Sequence, residues 1–150
     1  MPLFSAIHKC PYRIKIFFIS LEDDTFRMAS YQCPKCGNVY EKTYAAGGCT
    51  PKCCGEKCVE VAPKTGNPDE NKHVPYFERV DGGVLVKVGK NDAHPMADDH
   101  YIVWIEICAD GVRMRKYLKP GDKPEAFFKT DASKIIAREF CNKHGLWTYE

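Results

Sequence analysis

The sequence predicts an all-β protein in which a small metal-stapled module precedes a β-sandwich. Three observations predict it. Six of the nine cysteines lie between about residues 28 and 62, a stretch too short to build much of an apolar core without a metal. A run rich in turn residues, Pro63-Lys-Thr-Gly-Asn-Pro-Asp-Glu-Asn71, then reads as a linker. From His73 onward, short runs of β-branched and aromatic residues alternate with turn signals at roughly the 8–12-residue spacing of a sandwich. A chain of 150 residues has room for such a module plus a domain.

In chain order, residues 1–27 stand apart. Alternating apolar and basic residues (Arg13-Ile-Lys-Ile-Phe17) run into an acidic patch, Glu22-Asp-Asp24, and we read the segment as a poorly packed extension of unknown role. Its best apolar stretch, Ile14-Lys-Ile-Phe-Phe-Ile-Ser-Leu21, carries a lysine and lacks a small-residue cleavage site, so no export signal is expected. The nine cysteines then read as metal ligands and buried thiols of a reducing cytoplasm, not as disulfides.

Beyond the linker, Val84-Leu-Val-Lys-Val88 follows the turn Asp81-Gly-Gly83 and alternates as a strand does. Tyr101-Ile-Val-Trp-Ile-Glu-Ile107 is apolar on both faces, which predicts a buried strand. Ala109-Asp-Gly111 is a hairpin signal leading into Val112-Arg-Met-Arg-Lys-Tyr-Leu118. Pro120-Gly-Asp-Lys-Pro124 is another turn, and Ala126-Phe-Phe-Lys-Thr130 a further strand. Ser133-Lys-Ile-Ile-Ala-Arg-Glu-Phe140 has a spacing that fits a short amphipathic helix as readily as a strand.

Composition excludes several classes. The chain is 44% hydrophobic and 28% charged, as soluble globular proteins are. A net charge of +2 without a Lys/Arg run predicts no nucleic-acid surface. No stretch reaches the roughly 18 apolar residues needed to cross a membrane.

The cysteines carry the first chemical signal. Cys33-Pro-Lys-Cys36-Gly is a knuckle whose turn brings two sulfurs to one metal, and the adjacent pair Cys53-Cys54 is placed to supply two more. Cys49 and Cys58 compete, each separated by three residues from the nearer member of that pair. Four thiolates in tetrahedral array suit zinc or iron.

The histidines carry the second. A lone histidine is usually a surface or satisfied core residue, and His8, with no partner motif, receives no role. His73, His94, His100 and His144 each lie at a turn or strand edge, and neutral imidazole is the commonest metal ligand among side chains. Cys141-x-x-His144 has chelate spacing, and the glycine after it permits a tight backbone. The loop His94-Pro-Met-Ala-Asp-Asp-His100 can bring two imidazoles to one centre. No His-Glu-x-x-His or Ser/His/Asp pattern offers a hydrolase. Four neutral imidazoles and one thiolate leave iron a net positive charge in both oxidation states and one octahedral position open. A thiolate pushes electron density toward that position. The chemistry expected is attraction and one-electron reduction of a small anion, superoxide rather than neutral dioxygen. Lys72, beside His73, either adds positive charge at the mouth and orders a proton-donating water, or is a solvated linker lysine; position alone leaves both open.

These residues resemble the two-iron superoxide reductases, or desulfoferrodoxins, over about residues 28–150. The matching stretches are Tyr31-Gln-Cys-Pro-Lys-Cys-Gly-Asn38, Cys53-Cys-Gly-Glu56, Lys72-His-Val-Pro75, His94-Pro-Met96, His100-Tyr-Ile-Val-Trp-Ile-Glu106, Leu118-Lys-Pro-Gly121 and Ala137-Arg-Glu-Phe-Cys-Asn-Lys-His-Gly-Leu-Trp147. The resemblance implies a desulforedoxin-like iron held by Cys33, Cys36, Cys53 and Cys54 in a module at 28–62. It implies a second, catalytic iron held equatorially by His73, His94, His100 and His144, with Cys141 axial, in an immunoglobulin-like sandwich at 73–150. Residues 63–72 become a linker and substrate-site loop, Cys49 and Cys58 drop out as ligands, and 134–140 becomes a strand. The implied reaction is one-electron reduction of superoxide to hydrogen peroxide with an external donor such as rubredoxin, by a protein that is usually a homodimer.

One departure concerns the site itself. The family commonly has Glu-Lys-His, whose carboxylate can cap the ferric iron. Here Asn71 takes that place, with Glu70 one residue earlier, so capping by Glu70 would require a loop shift, while the lysine role carries to Lys72. Two rival classes remain: a rubredoxin-like electron carrier, which leaves five further ligands unexplained, and a structural zinc module, which predicts a colourless protein.

Overall fold

The computed structural model describes residues 29–43 and 48–150; the expectation for residues 1–27 lies outside them. Every regular element among the described residues is a strand, so the all-β expectation holds, and no helix is long and apolar enough to cross a membrane. The chain divides into two units, the first containing residues 29–60 and the second Val61–Glu150.

In the first unit, β1 (Ser30–Gln32), β2 (Val39–Glu41) and β5 (Val59–Val61) form a sheet in the order β2-β1-β5, and β3 (Lys52–Cys53) pairs with β4 (Glu56–Lys57). Among its described residues the buried side chains are those of Ser30, Cys33 and Cys58. That is too little apolar surface to hold a fold, which is the physical reason such a module depends on a bound ion.

The second unit is a sandwich of two antiparallel sheets. One is ordered β10-β7-β6 and the other β12-β11-β8-β9, built from β6 (Pro75–Val80), β7 (Gly83–Val88), β8 (Ile102–Ala109), β9 (Val112–Tyr117), β10 (Glu125–Lys129), β11 (Ile135–Cys141) and β12 (Gly145–Tyr149). Alternation decides what faces inward. Val84, Val86 and Val88 of β7 and Ala126 and Phe128 of β10 meet Ile105, Ile107, Ile135 and Ala137 of the other sheet in one core. The β8–β9 hairpin turns through Asp110 and Gly111, both at positive φ (48° and 78°), as a two-residue type I′ loop requires and as the Asp-Gly pair signalled.

The segment whose spacing fits helix or strand, and which the resemblance makes a strand, is β11. It is buried along its whole length because it lies between β12 and β8. Arg138 and Glu139, which give it an amphipathic look, are both inside. Arg138 faces a buried network in which Glu106 also receives Arg113 at 2.7 Å and Arg115 at 2.8 Å. Two strands carried no clear signal. β6 opens on a proline and exposes its far half, and β12 is a short edge strand. The run Pro63–Asn71 reads as a linker from its turn residues, yet Lys64 is fastened to β12: its N–H donates to Leu146 O and its carbonyl accepts from Thr148 N–H.

Candidate metal centres

In the first unit, four sulfurs converge. The Cys33–Cys36 knuckle is closed by Gly37 N–H donating to Cys33 O. The adjacent pair poses a steric question, because successive side chains of a strand point to opposite faces. Cys54 resolves it by adopting φ 51°, with Gly55 at φ 80°. The two occupy the loop of the hairpin in which Cys53 faces Glu56, and the left-handed turn places both sulfurs on one side. A non-glycine residue held at positive φ is uncommon.

Cys53 Sγ then lies 3.5 Å from Cys36 Sγ and 3.8 Å from Cys54 Sγ. Sulfurs bound tetrahedrally about 2.3 Å from one ion stand about 3.8 Å apart, so the set fits iron or zinc. Protonation points the same way. The amide N–H groups of Cys36 and then Lys35 draw the Cys33 thiol down to about 7. Hydrogen bonding with Cys36, Cys53 and Cys33 pushes Cys54 up to about 12. Four thiolates this close require a cation. Cys49 is exposed and Cys58 buried, and neither belongs to the converging group. Beside the cluster, Tyr40 Oη donates to Cys53 Sγ at 3.1 Å, a bond that raises the phenol's own pKa by holding its proton.

In the second unit, His73, His94, His100, Cys141 and His144 each offer one donor atom, all within 4.8 Å of one another. His73 Nε2 lies 2.8 Å and His100 Nε2 3.1 Å from His144 Nδ1. Nitrogens at right angles on an ion about 2.1 Å away stand about 3.0 Å apart. Cys141 Sγ is 3.5 Å from the same Nδ1. His94 supplies the sharpest test of fit. Its Nδ1 donates to Pro95 O at 2.7 Å, which leaves the Nε2 lone pair buried with no hydrogen-bond partner among the described residues. A metal ion accounts for that orphan.

Local structure explains the convergence. His94 is returned to the end of β7 by His94 N–H donating to Val88 O. The reversal passes Gly89 at φ 90°, where a Cβ would stand 2.2 Å from Asp92 O; only glycine fits. A register shift between Phe140 and Cys141 lets Ile102 pair with Cys141, a bulge of the kind that re-aims side chains beside sites. Asn142 then ties the two ligand loops together. Its Oδ1 accepts from Tyr101 N–H at 2.9 Å and its Nδ2 donates to Asp99 O at 3.0 Å. Lys64 Nζ donates to His144 O at 2.9 Å, and Trp147 stacks on His73 with ring centroids 5.4 Å apart. Asn142, Gly89, Lys64 and Trp147 were missed as site residues. For Asn142 a signal existed: a short amide between Cys141 and His144, in a loop that must be held.

Asn71 is not idle. Its Oδ1 accepts from His73 N–H at 3.0 Å and lies 3.2 Å from His73 Nδ1. An amide oxygen only accepts, so Nδ1 carries the proton and Nε2 is left to bind metal. An Asn71→Ala protein is therefore expected to hold the ion roughly 10- to 100-fold more weakly, read by chelator competition; unchanged retention would show that the bond orients nothing. Glu70 and Lys72 are both exposed and share a cleft of ≈ 400 Å³ with Asn71 and His73. The Glu70 carboxylate is not among the converging donor atoms.

Burial holds His73 and His94 down to about 4 and lowers His100 as well, while it raises the Cys141 thiol. These three imidazoles are thus neutral at pH 7. In metal-depleted protein, the unfolded chain takes up protons on histidine from about pH 6.5, the folded His73 and His94 only near 4. The unfolded state binds more protons across that window, so stability falls as pH drops from about 6.5 toward about 4. Denaturant midpoints that stay level across the window would refute buried neutral imidazoles. Glu139, 0% exposed, has its carboxyl pushed well above the usual range by burial.

Residues 65–150 match the family model described as Desulfoferrodoxin. A desulfoferrodoxin of Nitratidesulfovibrio vulgaris is 48% identical over 120 residues, covering 80% of this chain and 94% of that protein. A superoxide reductase of Pyrococcus horikoshii is 36% identical, covering 58% of this chain and 91% of that one. Among solved structures, the superoxide reductase from Treponema pallidum superposes with a TM-score of 0.66 at 30% identity, covering 82% of this chain and 98% of its own.

Proposed function

The chain belongs to the desulfoferrodoxin family, and from that premise we propose that it is a superoxide reductase whose catalytic iron is held by His73, His94, His100, His144 and Cys141. The observation that carries this is the convergence of four imidazole nitrogens and one thiol sulfur within 4.8 Å, with the buried His94 Nε2 lacking any other partner. A second iron belongs to Cys33, Cys36, Cys53 and Cys54. The reaction takes one superoxide, one electron and two protons to hydrogen peroxide and releases no dioxygen.

When bound, the catalytic iron supplies the single electron by cycling between ferrous and ferric states. The protein's residues do the rest. With His73, His94 and His100 kept neutral by burial, Cys141 is the one anionic donor of the set, so the site keeps a net positive charge that attracts superoxide. Lys72, exposed on the cleft beside His73, adds to that charge and orders a water that delivers protons. Asn71 directs His73 Nε2 inward, and Glu70 lies at the rim, where a loop shift would bring a carboxylate to the open side.

We assign the donor role to a small redox partner such as rubredoxin, the location to the cytoplasm and the assembly to a homodimer. Five cysteines placed to hold metal as thiolates support a reducing compartment. Metal analysis with a visible spectrum and a superoxide assay tests the reading. Two irons per chain, thiolate-to-ferric charge-transfer bands and peroxide formed without dioxygen are expected; zinc in both sites would overturn it. A Lys72→Ala protein is expected to capture superoxide on the order of tenfold more slowly at low salt, with the deficit shrinking as salt rises. A rate constant equal to wild type at every salt concentration would make Lys72 a bystander.

A further inference from the structure

Tyr40 belongs to neither set of metal-binding residues, yet its hydroxyl is aimed at one. It stands on β2, opposite Tyr31 of β1, on the sheet edge. Its Oη lies 3.1 Å from Cys53 Sγ, well inside the range of an O–H···S hydrogen bond. Cys53 Sγ also has close sulfur neighbours, Cys36 at 3.5 Å and Cys54 at 3.8 Å. Tyr40 is 37% exposed, and its hydroxyl bond to sulfur is a contact that covering the surface alone does not require. Phenylalanine would cover the same surface without the hydroxyl.

A hydrogen bond to a ligating thiolate has a chemical consequence. It withdraws electron density from sulfur, which weakens donation to the ion. The electron-rich ferrous state then gains more than the ferric state, and the reduction potential rises. The amide N–H groups of Cys36 and Lys35 act on Cys33 in the same sense, but these backbone donors come with the knuckle whatever its side chains are. Tyr40 is a side-chain donor, and substitution can remove it.

We propose that Tyr40 is a positioning residue that sets the reduction potential of the four-cysteine iron through its hydrogen bond to Cys53 Sγ. The proposal rests on Cys33, Cys36, Cys53 and Cys54 holding one iron. It makes the first centre a tuned electron-transfer site, since a purely structural ion needs no side-chain control of its potential.

The test is a redox titration of the full-length protein, followed by the visible bands of the four-thiolate iron, for wild type and Tyr40→Phe, with iron counted in each. The variant is expected to keep two irons. At a solution potential equal to the wild-type midpoint, its ratio of reduced to oxidised first centre should fall roughly 3- to 10-fold. Its charge-transfer band should move to lower energy, and the midpoint of the four-histidine iron should not move. A fully loaded variant with unchanged potential and spectrum would overturn the proposal and leave Tyr40 as packing. If Tyr40→Phe fails to load iron, fluorotyrosine at position 40 decides, because a more acidic phenol is a stronger donor and must raise the potential; no rise overturns the proposal. Wild type that carries no iron on the four cysteines would instead defeat the underlying ligand assignment.

Discussion

A Cys141→Ser protein is expected to lose superoxide reduction by more than about 100-fold while keeping its fold. Removing a group that merely supports a ligand typically costs 10- to 100-fold, and Cys141 is proposed as a ligand itself. Its side chain is 0% exposed at the end of β11, and the backbone N–H groups of Lys143 and His144 point toward its sulfur. Serine is nearly the same size, so the strand and its bulge should survive. Its hydroxyl stays protonated, however, and the site loses both its only anionic ligand and the soft donor that pushes electron density onto iron. The four imidazoles remain to bind a divalent ion. Superoxide decay after pulsed generation, measured beside iron content and circular dichroism, checks this. A variant with full iron and a wild-type rate would remove the thiolate from the mechanism.

A Cys54→Ser protein is expected to behave oppositely. The first centre should lose its iron and its charge-transfer bands, and metal analysis should find one iron per chain. The structural effect should be large but local. The buried side chains of the first unit are few, so much of its stability comes from the ion, whose binding is worth on the order of 10 kcal/mol in small metal modules. Amide exchange over residues 29–60 should accelerate, while β6–β12 stay protected by their own core. Superoxide reduction should persist, because all five proposed ligands of the catalytic iron lie in the second unit. Loss of activity with the second site still loaded would mean that the first centre is an obligatory relay.

The legibility of this chain differs from element to element for physical reasons. β7, β8, β9 and β10 were readable because alternation and β-branched density are local, and the Asp110-Gly111 turn because its residue types are forced by positive φ. β6 and β12 were not, since neither alternates cleanly: β6 opens on a proline and ends exposed, and β12 is half-buried along most of its length. β11 could not be told from a helix because burial on both faces replaces alternation with a continuous mixed pattern. The metal-binding residues stood out by type and spacing. The residues that aim them did not. Asn142 and Lys64 have ordinary identities and act through neighbours distant in sequence, Asn142 on Tyr101 and Asp99 and Lys64 on His144, while Gly89 matters only because the chain reverses tightly there.

The sequence by itself determined the donor chemistry: thiols in a knuckle and an adjacent pair, imidazoles at turns, a thiol and an imidazole at chelate spacing, and the absence of a carboxylate at position 71. These are properties of residue type and short spacing, which the chain carries before it folds. Tertiary structure alone decided how each donor is presented. It put Cys54 in a left-handed turn beside Cys53, left His94 Nε2 buried without a partner, turned Asn71 from a missing cap into the acceptor that sets the His73 tautomer, and brought the Tyr40 hydroxyl to Cys53. Orientation of a side chain depends on backbone dihedrals and on contacts made across strands, and neither exists until the sheets have paired.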